Sequence, residues 1–281
     1  MMHSIIKIYR VFCYQLKREL ASKRVIVLFL VIGIFIYSNM EPVSKFCMSV
    51  GIKATPLGSI FMINDFIYQT VFMIGVVFLL SIAPYRGEVY RYIVYRSGTV
   101  EWEVGNILYI FMITFIYLVF IVLMSIIGLK GNVIFSADWG KIWGTLARTN
   151  AAQQFGVQFD VNEYIIGRYN AMPAIINSFL LEWVCFIWLG LCMYFMNSIS
   201  KKGLGILIDG LFIFLDAMIY NSWTPQAYRF SPVTLSQLSV YTKGNLYYGI
   251  SLNYAYFFYL ITNIIWILLI VLYCGKSEDY E

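Results

Sequence analysis

Three carboxylates interrupt long apolar runs: Glu182 in FLLEWVCFIWLGL, and Asp209 and Asp216 in ILIDGLFIFLDAMI. An acid is expensive against lipid, so each must face a bundle interior, a cavity or a polar neighbour. Seven residues separate the two aspartates, which places them two turns apart on nearly one face of a single helix. Acids so placed can carry a proton or cation relay through Glu182, Asp209 and Asp216. They can instead be satisfied near helix ends or by interior polar groups such as Asn177 and Asn263. An intramembrane aspartyl protease needs two carboxylates a few ångströms apart, usually from different helices, and its GxGD motif is missing.

A second set of charges lies in PYRGEVYRYIVYRSGTVEWEVGNILY, residues 84–109, between two apolar stretches. Arg86, Glu88, Arg91, Arg96, Glu101 and Glu103 stand there among aromatic residues, a composition that suits a docking surface for a soluble partner. The three arginines recur every five residues, so they spread over a helix and its ends rather than forming one stripe. In that arrangement they can meet an acidic cleft. A plain basic loop that only fixes topology is the alternative.

Chemistry of other kinds lacks its residues. No GxxxxGK[ST] loop is present, so ATP-driven work needs a partner. HExxH, GxSxG and Cys/His dyads are absent, and the single histidine, His3, is near the start of the chain. A structural zinc or haem site has almost no ligands, and no metal site is expected. Of the five cysteines, Cys13 and Cys274 are expected in the cytoplasm, Cys185 and Cys192 in a span, and Cys47 alone outside, where it closes no internal disulfide. The chain is therefore expected to be no enzyme and to hold no cofactor of its own.

These residues sit on a chain of 281, 60% hydrophobic, 19% aromatic and only 12% charged, with a mean hydropathy of +0.74. That places it among polytopic membrane proteins. A helix needs roughly 20 mostly apolar residues to cross about 30 Å of hydrocarbon. Six windows qualify: about 25–40, 65–83, 107–128, 174–196, 204–221 and 254–273. They are continuously apolar, which favours helices over the alternating strands of a barrel. The expectation is an all-α polytopic membrane protein with six transmembrane helices.

Basic residues orient it. Lys7, Arg10, Lys17, Arg18, Lys23 and Arg24 precede the first window, Arg86, Arg91 and Arg96 follow the second, Lys201 and Lys202 join the fourth to the fifth, and Lys276 follows the sixth. Six spans put all of these on one side. The other side has Lys45, Lys53, Lys130, Lys141, Arg148, Arg168, Arg229 and Lys243, spread over longer loops. Both termini are thus expected in the cytoplasm of a multi-pass protein of the cell membrane. No small-x-small cleavage site closes the first window, so it reads as a retained anchor rather than a signal peptide.

The connecting pieces are uneven. In residues 1–24, Ile5, Tyr9, Phe12, Leu16 and Leu20 form a helical apolar stripe among bases, which reads as an amphipathic helix on the cytoplasmic leaflet. Residues 41–64 read as a loop broken by Pro42, Gly51, Pro56 and Gly58. The external segment 129–172 is the largest soluble piece; Trp139, Trp143 and Leu146 share helical spacing in it, and it is too short to fold alone. Ser231 and Pro232 are an N-cap and first-turn pair that predicts a short external helix through about Val240. Tyr68, Tyr85, Trp183, Tyr194, Trp223, Tyr254 and Tyr273 near span ends read as an aromatic belt. The tail GKSEDYE is brief and acidic.

The segment RGEVYRYIVYRSGTVEWEVGNIL resembles one that membrane subunits of type-2 ABC exporters carry after their second span, of the form ER-x-x-G-T-x-E-x-L-L-x-S-R-P-V-S-R-x-x-I-x-x-G-K-x-L. It shares an initial basic turn, an apolar YIVY core, Arg96-Ser97-Gly98, Trp102, and Gly105-Asn106 where the family often has Gly-Lys. The amphipathic N-terminal helix, the six spans and the Phe230-Ser231-Pro232 turn are also similar. The leading Glu-Arg pair is Tyr85-Arg86 in this chain, and the 129–172 segment is longer than usual in the family. The resemblance implies a permease subunit, paired with a second permease subunit, the same or related, on two cytoplasmic ABC ATPase subunits that bind the ATP and Mg. It implies a cytoplasmic coupling helix between spans two and three that engages the ATPase, with Arg86, Glu88, Arg91, Arg96 and Trp102 as the residues at that contact. A lipid, hydrophobic drug or amphipathic peptide is the expected cargo and membrane lipids the surroundings; no nucleic acid partner is expected. A secondary transporter or channel using Glu182, Asp209 and Asp216 remains the other class.

Overall fold

The computed structural model describes residues 2–87, 89–200, 203–241 and 249–274. Glu88, Lys201, Lys202, Lys243, Lys276 and the acidic tail lie outside the described residues. Among the described residues the chain is all-helical, with a single isolated bridge between Ala54 and Val133 and no strand. Four helices are long and apolar enough to cross a membrane, or five when one bent pair is taken as a single span. This is a multi-pass membrane protein.

The first helix, α1 (Met2–Leu20), lies against the bundle with Val11, Gln15 and Glu19 buried, one residue every turn. The apolar stripe visible in the sequence points elsewhere. Ile5, Tyr9 and Leu20 are exposed, and Phe12 and Leu16 are only partly covered. In a membrane protein the apolar face can turn to lipid while the polar face packs inward. Ser22 then caps α2 (Lys23–Val50) by accepting from the Val25 amide at 3.4 Å.

Helix α2 runs through Pro42 and stops at Gly51, whose positive φ of 70° closes the last turn. Residues 41–50 are therefore helix rather than loop. Neighbouring parts of the bundle hold this half in place despite the lost backbone donor of Pro42: Ser44 donates to the Leu129 carbonyl at 3.1 Å, and Met40, Val43, Phe46 and Cys47 are buried.

The window at 65–83 forms a bent pair. Helix α3 (Gly58–Asn64), buried along its whole length, meets α4 (Phe66–Leu80) at 86°. Asp65 sits at the corner and accepts from the Ile67 and Tyr68 amides at 2.9 and 3.2 Å. Fifteen residues reach about 22 Å, so α4 alone falls short of the hydrocarbon thickness. Helix α5 (Tyr90–Ser97) follows, and Gly98, with φ of 102°, turns the chain into α6 (Thr99–Ile127). The third long helix therefore begins eight residues before the expected window and takes in Glu101, Trp102 and Glu103.

Segment 129–172 holds three short helices: α7 (Gly140–Arg148), α8 (Ala151–Phe155) and α9 (Glu163–Arg168). They are tied down by two indoles. Trp143 donates to the Thr55 carbonyl at 2.9 Å and Trp139 to the Tyr169 carbonyl at 2.8 Å. Helix α10 (Ala171–Ile199) is the most enclosed of the long helices, and α11 (Leu204–Tyr220) packs on it. They approach closely because Gly205 has no side chain: a Cβ there would lie 2.7 Å from the Met193 carbonyl oxygen.

After a 3₁₀ turn (Pro225–Phe230) comes α12 (Pro232–Leu235), capped by Ser231, and a second 3₁₀ turn (Leu238–Tyr241). The helix expected through Val240 ends at Leu235. The segment is also no surface element, since residues from Ser231 to Leu238 are buried. Last is α13 (Leu252–Leu269), continued by a π-turn (Ile270–Cys274) and largely open to its surroundings.

Candidate functional site

Two sets of charged and polar side chains stand out, one at the α1 end of the bundle and one within it. At the α1 end, the chain leaves α4 through Tyr85, a non-glycine residue in the left-handed region with φ of 63°. Such a conformation costs about 1–3 kcal/mol and persists where packing enforces it. Tyr85 is fully buried, its ring 5.1 Å from that of Tyr109 on α6 and 6.1 Å from that of Tyr194 on α10. Burial pushes its phenol well above the usual range, so it stays neutral. The position where the resemblance would have a glutamate thus serves as an apolar anchor.

From this anchor, Arg86 stacks over the Tyr90 ring at 5.4 Å. Tyr90 in turn meets Trp102 edge to face at 5.0 Å. Trp102 is buried beneath α5 and supports it from below, so it presents no surface to a partner. Arg91, Tyr92, Tyr95 and Arg96 form the exposed face; Tyr95 is 91% exposed, unusual for a large ring. Of the remaining charges, Glu101 accepts a hydrogen bond from Ser4 of α1, and Glu103 is buried, accepting from the Tyr194 hydroxyl at 2.5 Å.

A polar chain ties this platform to the bundle. Gln15 of α1 donates to Asn106 of α6 at 2.9 Å, and Asn106 reaches the Tyr194 hydroxyl at 3.3 Å. Helix α1 comes this close because of Gly105, where a Cβ would lie 2.6 Å from Val11 Cγ1. Glu19 of α1 pairs with Arg18 and Arg24 at 2.8 and 3.0 Å. Arg24 also donates to the Phe78 and Leu79 carbonyls at 2.9 and 3.2 Å, satisfying the C-terminal end of α4.

The second set lies inside the bundle, where α4, α10 and α11 surround the buried segment with α12. Gln69 of α4 donates to Ser236 Oγ at 2.5 Å, the Val233 carbonyl at 3.2 Å and Glu182 Oε2 at 3.4 Å. Gln237 donates to Gln69 Oε1 at 2.5 Å and reaches Asp216 Oδ2 at 3.4 Å. Thr234 donates to Asp216 Oδ1 at 2.5 Å. Glu182 and Asp216 are therefore joined through two glutamines, and Glu182 Oε1 has no hydrogen-bond partner. Asn64 of α3 bridges from the side, donating to Ser178 Oγ at 3.1 Å and accepting from the Leu238 amide.

Asp209 is not part of this network. It faces the thiol of Cys192 on α10, and no N–H or O–H group among the described residues donates to either carboxylate oxygen. The two aspartates share a helix face, but only Asp216 meets the segment around α12. Nor do the polar groups offered as partners in the sequence reading serve: Asn177 accepts from Tyr256 at 2.8 Å and Asn263 approaches the Val184 carbonyl at 3.4 Å.

Sequence reasoning passed over Gln69, Gln237, Gln15 and Asn64. Gln69 is a lone amide inside an apolar run, the same signal that singled out the acids, and it carried the same information. Gln237 carried no such mark because its segment read as surface. Comparison with protein families, curated proteins and solved structures returns no match to this chain.

Proposed function

We propose that the chain is the permease subunit of an ATP-driven exporter of the type-2 ABC class, working as a pair with the same or a related subunit on two cytoplasmic ATPases. The observation that carries this reading is α5. It is a short helix between two bundle helices, held from below by Trp102 against its own Tyr90, with Arg91, Tyr92, Tyr95 and Arg96 turned outward. A loop that only joined two spans has no need of a buried frame under an exposed basic and aromatic face.

On this reading there are six spans. Helix α11, at 17 residues, reaches about 26 Å, at the short end of what crosses a membrane, and the bent α3–α4 pair makes another. Both termini then lie in the cytoplasm with α1 and α5. Closure of the ATPases on ATP pushes α5, and α1 and α6 follow because Gln15, Asn106, Tyr194 and Glu103 bind them to α10. A lipid, hydrophobic drug or amphipathic peptide fits the apolar, aromatic helix surfaces as cargo. The chain extracted from its native membrane in mild detergent should carry ATPase activity with it, and Arg91→Glu with Arg96→Glu should abolish transport while leaving insertion intact. Transport driven by an ion gradient, with no ATPase recovered, would overturn the proposal.

A secondary transporter or channel is the second reading. It is favoured by the hydrogen-bonded line from Glu182 through Gln69 and Gln237 to Asp216, with one Glu182 oxygen unpartnered. Loss of gradient-driven transport in Glu182→Gln and Asp216→Asn, with no ATPase recovered with the chain, would support it.

A further inference from the structure

Helices α1 and α5 enclose a groove of about 350 Å³ lined by Lys7, Arg10 and Tyr14 from one side and Tyr92 and Arg96 from the other. Three cations from two separate elements converge on it. Lys7 has Glu101 of α6 in its neighbourhood; Arg10 and Arg96 form no ion pair with a described residue. Arg96 lies over the Tyr92 ring at 5.8 Å, which holds its guanidinium along the groove wall.

The groove belongs to a different edge of α5 from the outermost one. At about 100° per residue, Arg91 and Tyr95 share one edge while Tyr92 and Arg96 share another, about 100° around the helix. On α1, Ile6, which is exposed, lies one turn before Arg10 on the same edge. In a membrane protein, exposed apolar residues one turn from a cluster of bases mark the level where acyl chains give way to headgroups.

We infer that this groove binds the phosphate headgroup of an anionic phospholipid, with Lys7, Arg10 and Arg96 around the phosphate and an acyl chain along Ile6. Guanidinium groups suit phosphate oxygens through paired N–H donors, and Lys7 adds a compact charge. The site would fix α1 to α5 at the membrane surface, making the platform dependent on the lipid around it. It requires no ATPase and stands whether or not the proposed function does.

Native mass spectrometry of the purified chain in neutral detergent, titrated with phosphatidylglycerol, phosphatidylcholine or inorganic phosphate, tests this. One phosphatidylglycerol should be retained in preference to phosphatidylcholine. At about fivefold per base, Lys7→Gln with Arg10→Gln should weaken its binding about 25-fold. Arg96→Gln, on the opposite wall, should weaken it about fivefold, which keeps the test independent of how α1 tolerates substitution. Lys17→Gln, an exposed base of α1 outside the groove, should change binding less than about twofold. Equal losses for Lys17→Gln and Arg10→Gln would mean diffuse surface attraction and overturn the site. Equal retention of the two lipids, or full occupancy by inorganic phosphate alone, would overturn it as well.

Discussion

Replacing Gln69 with leucine removes the side chain on which the interior network turns. Leucine is close in size, so the loss is of hydrogen bonds rather than volume. Val233 and Ser236 keep each other, since Ser236 Oγ donates to the Val233 carbonyl at 2.9 Å. Gln237 loses its 2.5 Å acceptor, and Glu182 Oε2 loses the Gln69 amide at 3.4 Å. A buried polar group deprived of its partner costs about 1–3 kcal/mol. Two such groups give a total of about 3 kcal/mol. That cost should appear as easier separation of α12 from α10, and Cys185 reports on it: its thiol is buried, 3.6 Å from the Pro232 carbonyl. Under fast opening and closing, about 3 kcal/mol corresponds to roughly 150-fold faster labelling by a permeant maleimide. Peptide mapping after timed exposure resolves Cys185 from Cys192, seven residues and about 10 Å further along α10. Gln69→Leu should accelerate Cys185 selectively, and Gln69→Leu with Gln237→Leu should cost less than the two single changes together, because they share one bond. An unchanged Cys185 rate, or equal acceleration at Cys192, would refute the idea that Gln69 fastens this segment.

Other substitutions probe the α1 end. Trp102→Ala removes the ring under Tyr90 and should destabilise by about 3–5 kcal/mol, with proteolysis in α5 appearing before global unfolding; a melting temperature within about 1 °C of the parent would count against the frame. Gly105→Leu forces atoms into space held by Val11 and the Ile8 carbonyl, so α1 should lift from α6 at a cost of about 1–3 kcal/mol, read as faster tryptic cleavage after Lys17 and Arg18. Arg24→Met leaves Phe78, Leu79 and Ser81 without their guanidinium donor and takes one of two partners from Glu19. A loss of about 2–4 kcal/mol is expected by chemical denaturation, and a neutral result would mean water replaces Arg24 at the end of α4.

The sequence made the class of fold legible because lipid demands continuous apolar helices, and the apolar windows overlap α2, α4, α6, α10, α11 and α13. What it hid follows from one rule applied too literally. Pro42 and the glycines around it are breakers in water, yet inside a bundle the neighbours of α2 hold the helix through Pro42. The polar stretch near Ser231 reads as surface for the same reason, since nothing local reveals that Gln69, Asp216 and Asn64 wait to satisfy it. Spacing put Asp209 and Asp216 on one face of a helix; only the packing of α12 separates a hydrogen-bonded acid from one that faces a thiol. The charged loop contains an ordered helix, α5, and Trp102 packs beneath it rather than on its exposed face.

The two polar networks share α10. Tyr194 belongs to the first and Glu182 to the second, 12 residues and about 18 Å apart along the same helix. Gly190, between them, is no hinge: a Cβ there would lie 2.6 Å from Leu80 Cδ1 and 2.7 Å from Ile110 Cγ2, so α4 and α6 close directly on the backbone at that point. A helix enclosed along most of its length and pinned at its middle moves as a rod. Tyr194→Phe deletes the hydroxyl that joins Glu103 and Asn106, at about 1–3 kcal/mol, and leaves Gln69 untouched. If α10 is a rod, freeing it at Tyr194 also loosens its seat at Glu182, so the cost of Tyr194→Phe should fall by about 1 kcal/mol when Gln69→Leu is already present. Sites this far apart ordinarily add within about 0.5 kcal/mol. Additivity in a denaturation cycle would therefore mean that α10 flexes between its two networks.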